Sequence, residues 1–256
     1  MTINNLTLWQ KLSPKYLYLK RRKILPFLWN FLKRPISNIK YFENREMNSI
    51  KHQKEYWANE LIKSDSAEHT SAYRFDSPLC QDDMLGNYEK ILQNYFSPNI
   101  TGNRVLEIGC LGGKWSKYFF EKNASSVILV DLDKRVEVFL RNKFSNDTFQ
   151  FYETKGYELT GIPNNSVDFI FSMDCLGRCP KQYIKMYLNE FGRVLDKNGK
   201  ALLHLPCKES KISVEKGFVN LSKKEIEAEC NKNDWNHFEL DFDTIEHGVL
   251  LKVNLK

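Results

Sequence analysis

RVLEIGCLGG at residues 104–113, followed by SVILVD at 126–131, decides how this chain is read. Val105, Leu106 and Ile108 form an apolar run that stops at Gly109, and the stretch 114–122 carries Trp115, Tyr118 and Phe119 at helical spacing. The order is strand, glycine turn, helix. Glycine has no Cβ, so such a turn lets a ligand lie against the backbone while the helix start offers free N–H groups. Residues 127–130 read as a second buried strand that ends in Asp131. That acid follows Gly113 at close to the separation, roughly 20 residues, at which a carboxylate meets ribose hydroxyls in doubly wound folds. A nucleotide-type ligand is expected over this unit.

The glycines narrow the ligand. A dinucleotide fingerprint needs glycine at 111 and 114, where Leu111 and Lys114 stand. The pattern acid-x-G-x-G-x-G is met at Glu107, Gly109 and Gly113 and broken only at Leu111. Downstream, LTGIPNNSVDFIFSMDCLGRCP at 159–180 gives a turn at Asn165 and Ser166, a strand over 167–171, and a carboxyl end at Ser172, Met173 and Asp174, where ligands bind in open α/β sheets. NEFGRVLDKNGKALLHLP at 189–206 adds a helix end, a turn at Asn198 and Gly199, and a fifth strand over 201–205.

On these motifs residues 103–206 resemble the class I S-adenosylmethionine (SAM)-dependent methyltransferases, and within them small-molecule enzymes that modify sugars, lipids or secondary metabolites. The resemblance implies a Rossmann-like, doubly wound, seven-stranded, mostly parallel sheet with an antiparallel C-terminal edge, and SAM as cofactor. It implies that Glu107 orients the loop or the methionine amine, and that Gly109 and Gly113 admit the methionyl chain. Asp131 would take the ribose hydroxyls and Leu132 would pack on adenine, with Cys110, Gly156 and Ser172 completing the cofactor contacts. Methyl transfer asks for little acid–base chemistry, because the sulfonium is already activated and alignment supplies most of the acceleration. An oxygen acceptor gains from a base, and Asp174 and His204 are the candidates at strand ends. Arg178 stands where relatives often carry histidine. Arginine cannot act as a base, but it can hold a phosphate or carboxylate of the acceptor.

Two positions depart from the family pattern. Leu111 replaces the middle glycine, and Gly112 beside it is expected to supply the missing backbone freedom. Lys155 precedes Gly156 where relatives commonly have an acid near the adenine, leaving backbone groups, Glu153 or Glu158 as substitutes. Decayed cofactor binding, hence a non-catalytic scaffold with this fold, is the alternative these two residues raise.

Hydrophobic residues make up 42% of the 256-residue chain and charged residues 27%, which fits one globular core with an appendage. Residues 76–256 are expected to form the methyltransferase domain and 1–75 a basic, aromatic, partly helical extension. Through Lys54 there are 12 Lys and Arg against Glu43 and Glu46, a net +10, so the rest of the chain carries −4. Tyr16, Tyr18, Phe27, Trp29, Phe31, Tyr41 and Phe42 are interleaved with these cations. Such an arm suits an anionic membrane surface, the phosphates and bases of nucleic acid, or a solvated lid; an RNA methyltransferase is the enzyme alternative it raises. Pro26 and Pro35 restrict any helix there to about 27–33, too short to span a bilayer. Residues 1–10 lack the order of a secretion signal. The six cysteines contain no CxxC pair, so a reducing cytoplasm is expected, with peripheral contact at the inner membrane face through the arm. Cys175 and Cys179 lack histidines at supporting spacing and read as packing groups rather than metal ligands. Further helices are expected over 53–63, 81–96, 134–144 and 183–195 and from a Ser222 cap to 230, with strands near 238–242 and 249–255.

Overall fold

The computed structural model describes residues 50–64, 87–145, 147–218, 221–235 and 237–255. Of the expected extension, residues 1–49 and 65–75 lie outside the described residues, as does the first part, 81–86, of the expected 81–96 helix. Glu46–Lys256 form one compact unit.

Seven strands make a single sheet in the order β3-β2-β1-β4-β5-β7-β6. They are β1 (Arg104–Ile108), β2 (Ser126–Asp131), β3 (Gln150–Glu153), β4 (Val167–Ser172), β5 (Leu195–Leu205), β6 (Phe238–Asp241) and β7 (Val249–Val253). The pairs β1–β2, β1–β4, β2–β3 and β4–β5 are parallel, whereas β7 runs against both β5 and β6. The order reverses between β1 and β4, which opens a crevice at their carboxyl ends.

Period-2 alternation sends the strand side chains to two faces. Leu106, Ile108, Val130, Ile170 and Leu203 face one core, while Val105, Leu129, Phe169, Phe171 and Leu202 face the other. The first face is covered by α5 (Lys181–Val194), through Ile184, Leu188 and Phe191, and by α7 (Lys223–Lys232), through Ile226. The second is covered by α3 (Ser116–Glu121), α4 (Lys134–Lys143) and a helical segment that begins as α2 (Tyr88–Lys90). That segment continues as a π-helical turn, Ile91–Phe96, and a 3-10 turn, Ser97–Asn99. Phe96 is fully buried and packs edge-on against Phe171, ring centres 4.4 Å apart.

Local chemistry accounts for the element ends. Asp133 caps α4 by accepting from Arg135 N, and Ser222 with Glu225 forms a capping box on α7. Asn198 and Gly199 do not separate α5 from a later strand: β5 starts at Leu195, opposite Val167, and the register shifts before Lys200 pairs with Phe169. The expected turn is therefore a bulge within a longer strand. Helix α1 (Ile50–Ser64) belongs to the compact unit, with Leu61 in the second core. No helix among the described residues is long and apolar enough to cross a membrane.

Candidate active site

The carboxyl ends of β1, β2 and β4 open into a cavity of about 470 Å³. One wall is the loop after β1. Gly109 and Gly113 have φ of 78° and 71°, and Leu111 between them has φ of 38°. Gly112 is not in the left-handed region, so Leu111 itself adopts the conformation expected of a glycine there. That conformation costs a leucine roughly 1–2 kcal/mol. The loop is held by Asp131, whose Oδ2 accepts from Leu111 N at 2.9 Å and whose Oδ1 accepts from Leu132 N at 2.7 Å.

The expected cofactor residues separate into two groups. Glu107, Gly109, Cys110, Asp131, Leu132 and Gly156 line the cavity. Gly113 and Ser172 do not: Gly113 packs under Phe144, whose ring would lie 2.5 Å from an added Cβ, and the Ser172 hydroxyl donates to Ile108 O. Gly113 is thus needed for helix–loop packing rather than for ligand approach. Gly109 serves both ends, since an added Cβ would lie 2.6 Å from Cys175 Cβ.

Glu107 and Asp131 are poised by burial. Glu107 is buried and accepts from Ser116 Oγ at 2.5 Å, yet burial pushes its carboxyl up to about 8 against that hydrogen bond. Burial likewise raises Asp131 to about 6, opposed by the two loop N–H groups. Each acid can be returned to its ionised form by a positive or hydrogen-bond-donating ligand group. Gly156, at φ 93°, packs against Ile50 of α1 and Leu132: an added Cβ would lie 2.8 Å from Ile50 and 3.3 Å from Leu132. Lys155 is largely exposed and pairs with Glu158, and Glu153 pairs with Lys54, so these side chains stay off the cavity wall. The wall is completed by Gln53 and Trp57 of α1, with Trp57 Nε1 donating to Gln53 Oε1 at 2.8 Å.

The opposite wall carries Asp174, His204 and His247. Asp174 has φ of 54°, tolerated by aspartate, and its N–H is aimed at His204 Nδ1 at 3.3 Å. Its Oδ1 lies 2.9 Å from His204 Nδ1 and 2.7 Å from His247 Nε2, and its Oδ2 accepts from Tyr88 OH at 2.8 Å. Burial works against ionisation of Asp174, but the two imidazoles outweigh it and hold the carboxyl well below 3.8. Burial lowers His204 in turn, with the Asp174 carboxylate opposing. His247 is held in a loop tied at both sides, where Ser210 Oγ donates to Glu246 O and Asn87 N donates to Thr244 O. Arg178 also lines the cavity, its guanidinium 5.2 Å from the centre of the Phe218 ring.

Sequence reading did not single out His247, and it took the helices that carry Tyr88 and the α1 side chains only as cover for the cleft entrance. The one local signal for His247 was the following glycine. An added Cβ at Gly248 would lie 2.5 Å from Leu205 O and closer still to His204 Nε2, so the two histidine-bearing segments touch at this glycine. Cys175 and Cys179 are thiols that burial pushes upward, consistent with packing groups.

Residues 106–203 match the family model described as Methyltransferase domain. A protein of Pyrococcus horikoshii OT3 is similar in fold, with a TM-score of 0.54 at 14% identity over 72% of this chain and 96% of its own. A SAM-dependent methyltransferase from Aquifex aeolicus gives a TM-score of 0.51 at 17% identity, covering 77% and 98%. No curated protein matches the chain in sequence. The family match over residues 106–203 and the strand order are together those of a class I SAM-dependent methyltransferase domain, whose cofactor is SAM. The residues fit that molecule: two acids on the cavity wall, Glu107 and Asp131, would meet its amine and its ribose.

Proposed function

We propose that this chain methylates a hydroxyl of a small acceptor, in the manner of enzymes acting on a glycan or glycolipid precursor. The observation that carries the reading is the position of Asp174, with His204 and His247, on the cavity wall facing the Glu107–Asp131 loop. When bound, SAM supplies a methyl group on an already activated sulfonium. The chain's own residues then have three tasks.

The first is to hold the cofactor, through Glu107, Asp131 and the wall at Leu132 and Gly156. The second is to exclude water and align the acceptor, which α1 and Tyr88 support by covering the cavity between Trp57 and Asp174. The third is to receive the hydroxyl proton. Asp174 is ionised and flanked by imidazoles, so a proton reaching it can be shared with His204 or His247. Arg178 and Lys216, both lining the same cavity, favour an acceptor that carries phosphate or carboxylate. The basic arm, +10 through Lys54, favours an acceptor presented at an anionic membrane surface.

The test is calorimetric titration with SAM and S-adenosylhomocysteine, followed by transfer of labelled methyl to phosphorylated and unphosphorylated sugars. Micromolar cofactor binding with transfer to a hydroxyl supports the reading. Cofactor binding with transfer only to RNA would replace the acceptor class.

A further inference from the structure

Asp174, His204 and His247 come from three separate elements, the end of β4, β5 and the loop before β7, and bring one ligand atom each to within 4.8 Å of the other two. Hydrogen bonding alone does not satisfy this group. The Asp174 N–H points at His204 Nδ1 and requires a lone pair there, whereas Oδ1, 2.9 Å from the same nitrogen, requires a proton there. One proton on Nδ1 sets N–H against N–H. None sets a lone pair against a carboxylate. On its other side the ring's Nε2 is buried beside Gly248 with no hydrogen-bond partner. A cation in front of Nδ1 relieves the closer of the two contacts, since lone pair and carboxylate then point at the same positive charge and only the longer 3.3 Å approach of the Asp174 N–H is given up.

We propose that Asp174 Oδ1, His204 Nδ1 and His247 Nε2 bind one divalent transition-metal ion on the acceptor side of the cavity. The spacing suits coordination. Ligand bonds of about 2.0–2.2 Å put neighbouring donor atoms about 3.0–3.5 Å apart, a few tenths of an ångström beyond the 2.7 and 2.9 Å seen here. The donor set also selects the metal: two imidazoles and a carboxylate suit zinc, iron(II), cobalt or nickel, while magnesium and calcium favour oxygen ligands throughout. All three residues line the cavity, so the remaining coordination positions face the space open to an acceptor. Tyr88, donating to Asp174 Oδ2, is placed to fix the carboxylate so that Oδ1 points inward. The role of the ion, polarising the acceptor hydroxyl so that its proton leaves to solvent and not to Asp174, rests on the methyltransferase reading; its binding does not.

The experiment uses the full chain, stripped with chelator and desalted, then titrated with Zn2+ by calorimetry and with Co2+ by visible absorption. The expected result is one equivalent bound with the d–d bands of a nitrogen- and oxygen-ligated Co2+. His247→Ala should weaken that binding by at least about tenfold while S-adenosylhomocysteine binding persists. Asp174→Asn provides the same readout should His247→Ala fail to fold. No stoichiometric binding, or binding unchanged in a variant that folds, overturns the proposal. Cofactor titration of the metal-stripped chain reports on the methyltransferase reading separately.

Discussion

Asp131 Oδ2 accepts the backbone N–H of Leu111 at 2.9 Å, so the acid expected to meet the ribose also holds the loop that would meet the methionine. Its other oxygen accepts from Leu132 N. One carboxylate therefore sets the shape of two parts of the cofactor site. Asp131→Asn keeps the size of the side chain but replaces one acceptor oxygen by a donor. A lost hydrogen bond to a charged group is worth about 1.5–3 kcal/mol, so S-adenosylhomocysteine affinity should fall by roughly 10- to 100-fold in calorimetry.

Leu111 itself offers a backbone test. Leu111→Gly removes the left-handed cost and loses packing and chain stiffness, so denaturant unfolding should change by less than about 1 kcal/mol. Leu111→Val puts a β-branched residue at φ 38° and should destabilise by about 1–2 kcal/mol more than the glycine variant. Equal stability of the two variants would mean that strain at 111 does not matter.

Glu107 gives a prediction in pH. Its folded pKa, about 8, lies above the ordinary value of 4.5, so the folded chain keeps a proton that the unfolded chain releases. The associated stability is complete below about pH 4.5 and is lost as pH rises toward 8, by up to about 1.4 kcal/mol per unit. Glu107→Gln should flatten this part of the stability profile measured by urea unfolding between pH 5 and about 9. The same variant should weaken SAM, because an amide offers no charge to the amine.

Gly248 is a steric test of the cavity wall that carries His204 and His247. Its φ is not in the left-handed region, so Gly248→Ala probes space alone. Pushing His204 and Leu205 O apart should cost at least about 2 kcal/mol by denaturation. A variant as stable as the parent would show that the two segments separate freely.

Arg178 tests the acceptor. For an anionic substrate, Arg178→Ala should raise KM about tenfold or more, with a smaller change in kcat, and Arg178→Lys should recover part of the loss. An unchanged KM would direct the search to neutral acceptors.

The strands and the cofactor loop were legible because their signals are local: an apolar run, a glycine turn, and an acid at a strand end. Leu111 and Lys155 read as damage because one-dimensional pattern matching assumes each residue points at the ligand. In the fold Leu111 bends like a glycine and Lys155 points to solvent. Gly113 and Ser172 were assigned to the cofactor for the same reason, although each serves packing or a strand-end hydrogen bond. His247 was not legible at all. It is brought to His204 by pairing of strands distant in sequence, with Leu205 opposite Val249, and no spacing rule encodes that meeting.

The reversal of β7 has a further meaning for how such a site can change. In a wholly parallel sheet, a strand's entry lies at the end far from the ligand, and the segment leading into it is free to vary without touching chemistry. Here the segment entering β7 lies beside the exit of β5. The turn before β7, which carries His247, is thereby part of the cavity wall, so under the proposed function alterations there retune acceptor choice while the cofactor half stays untouched.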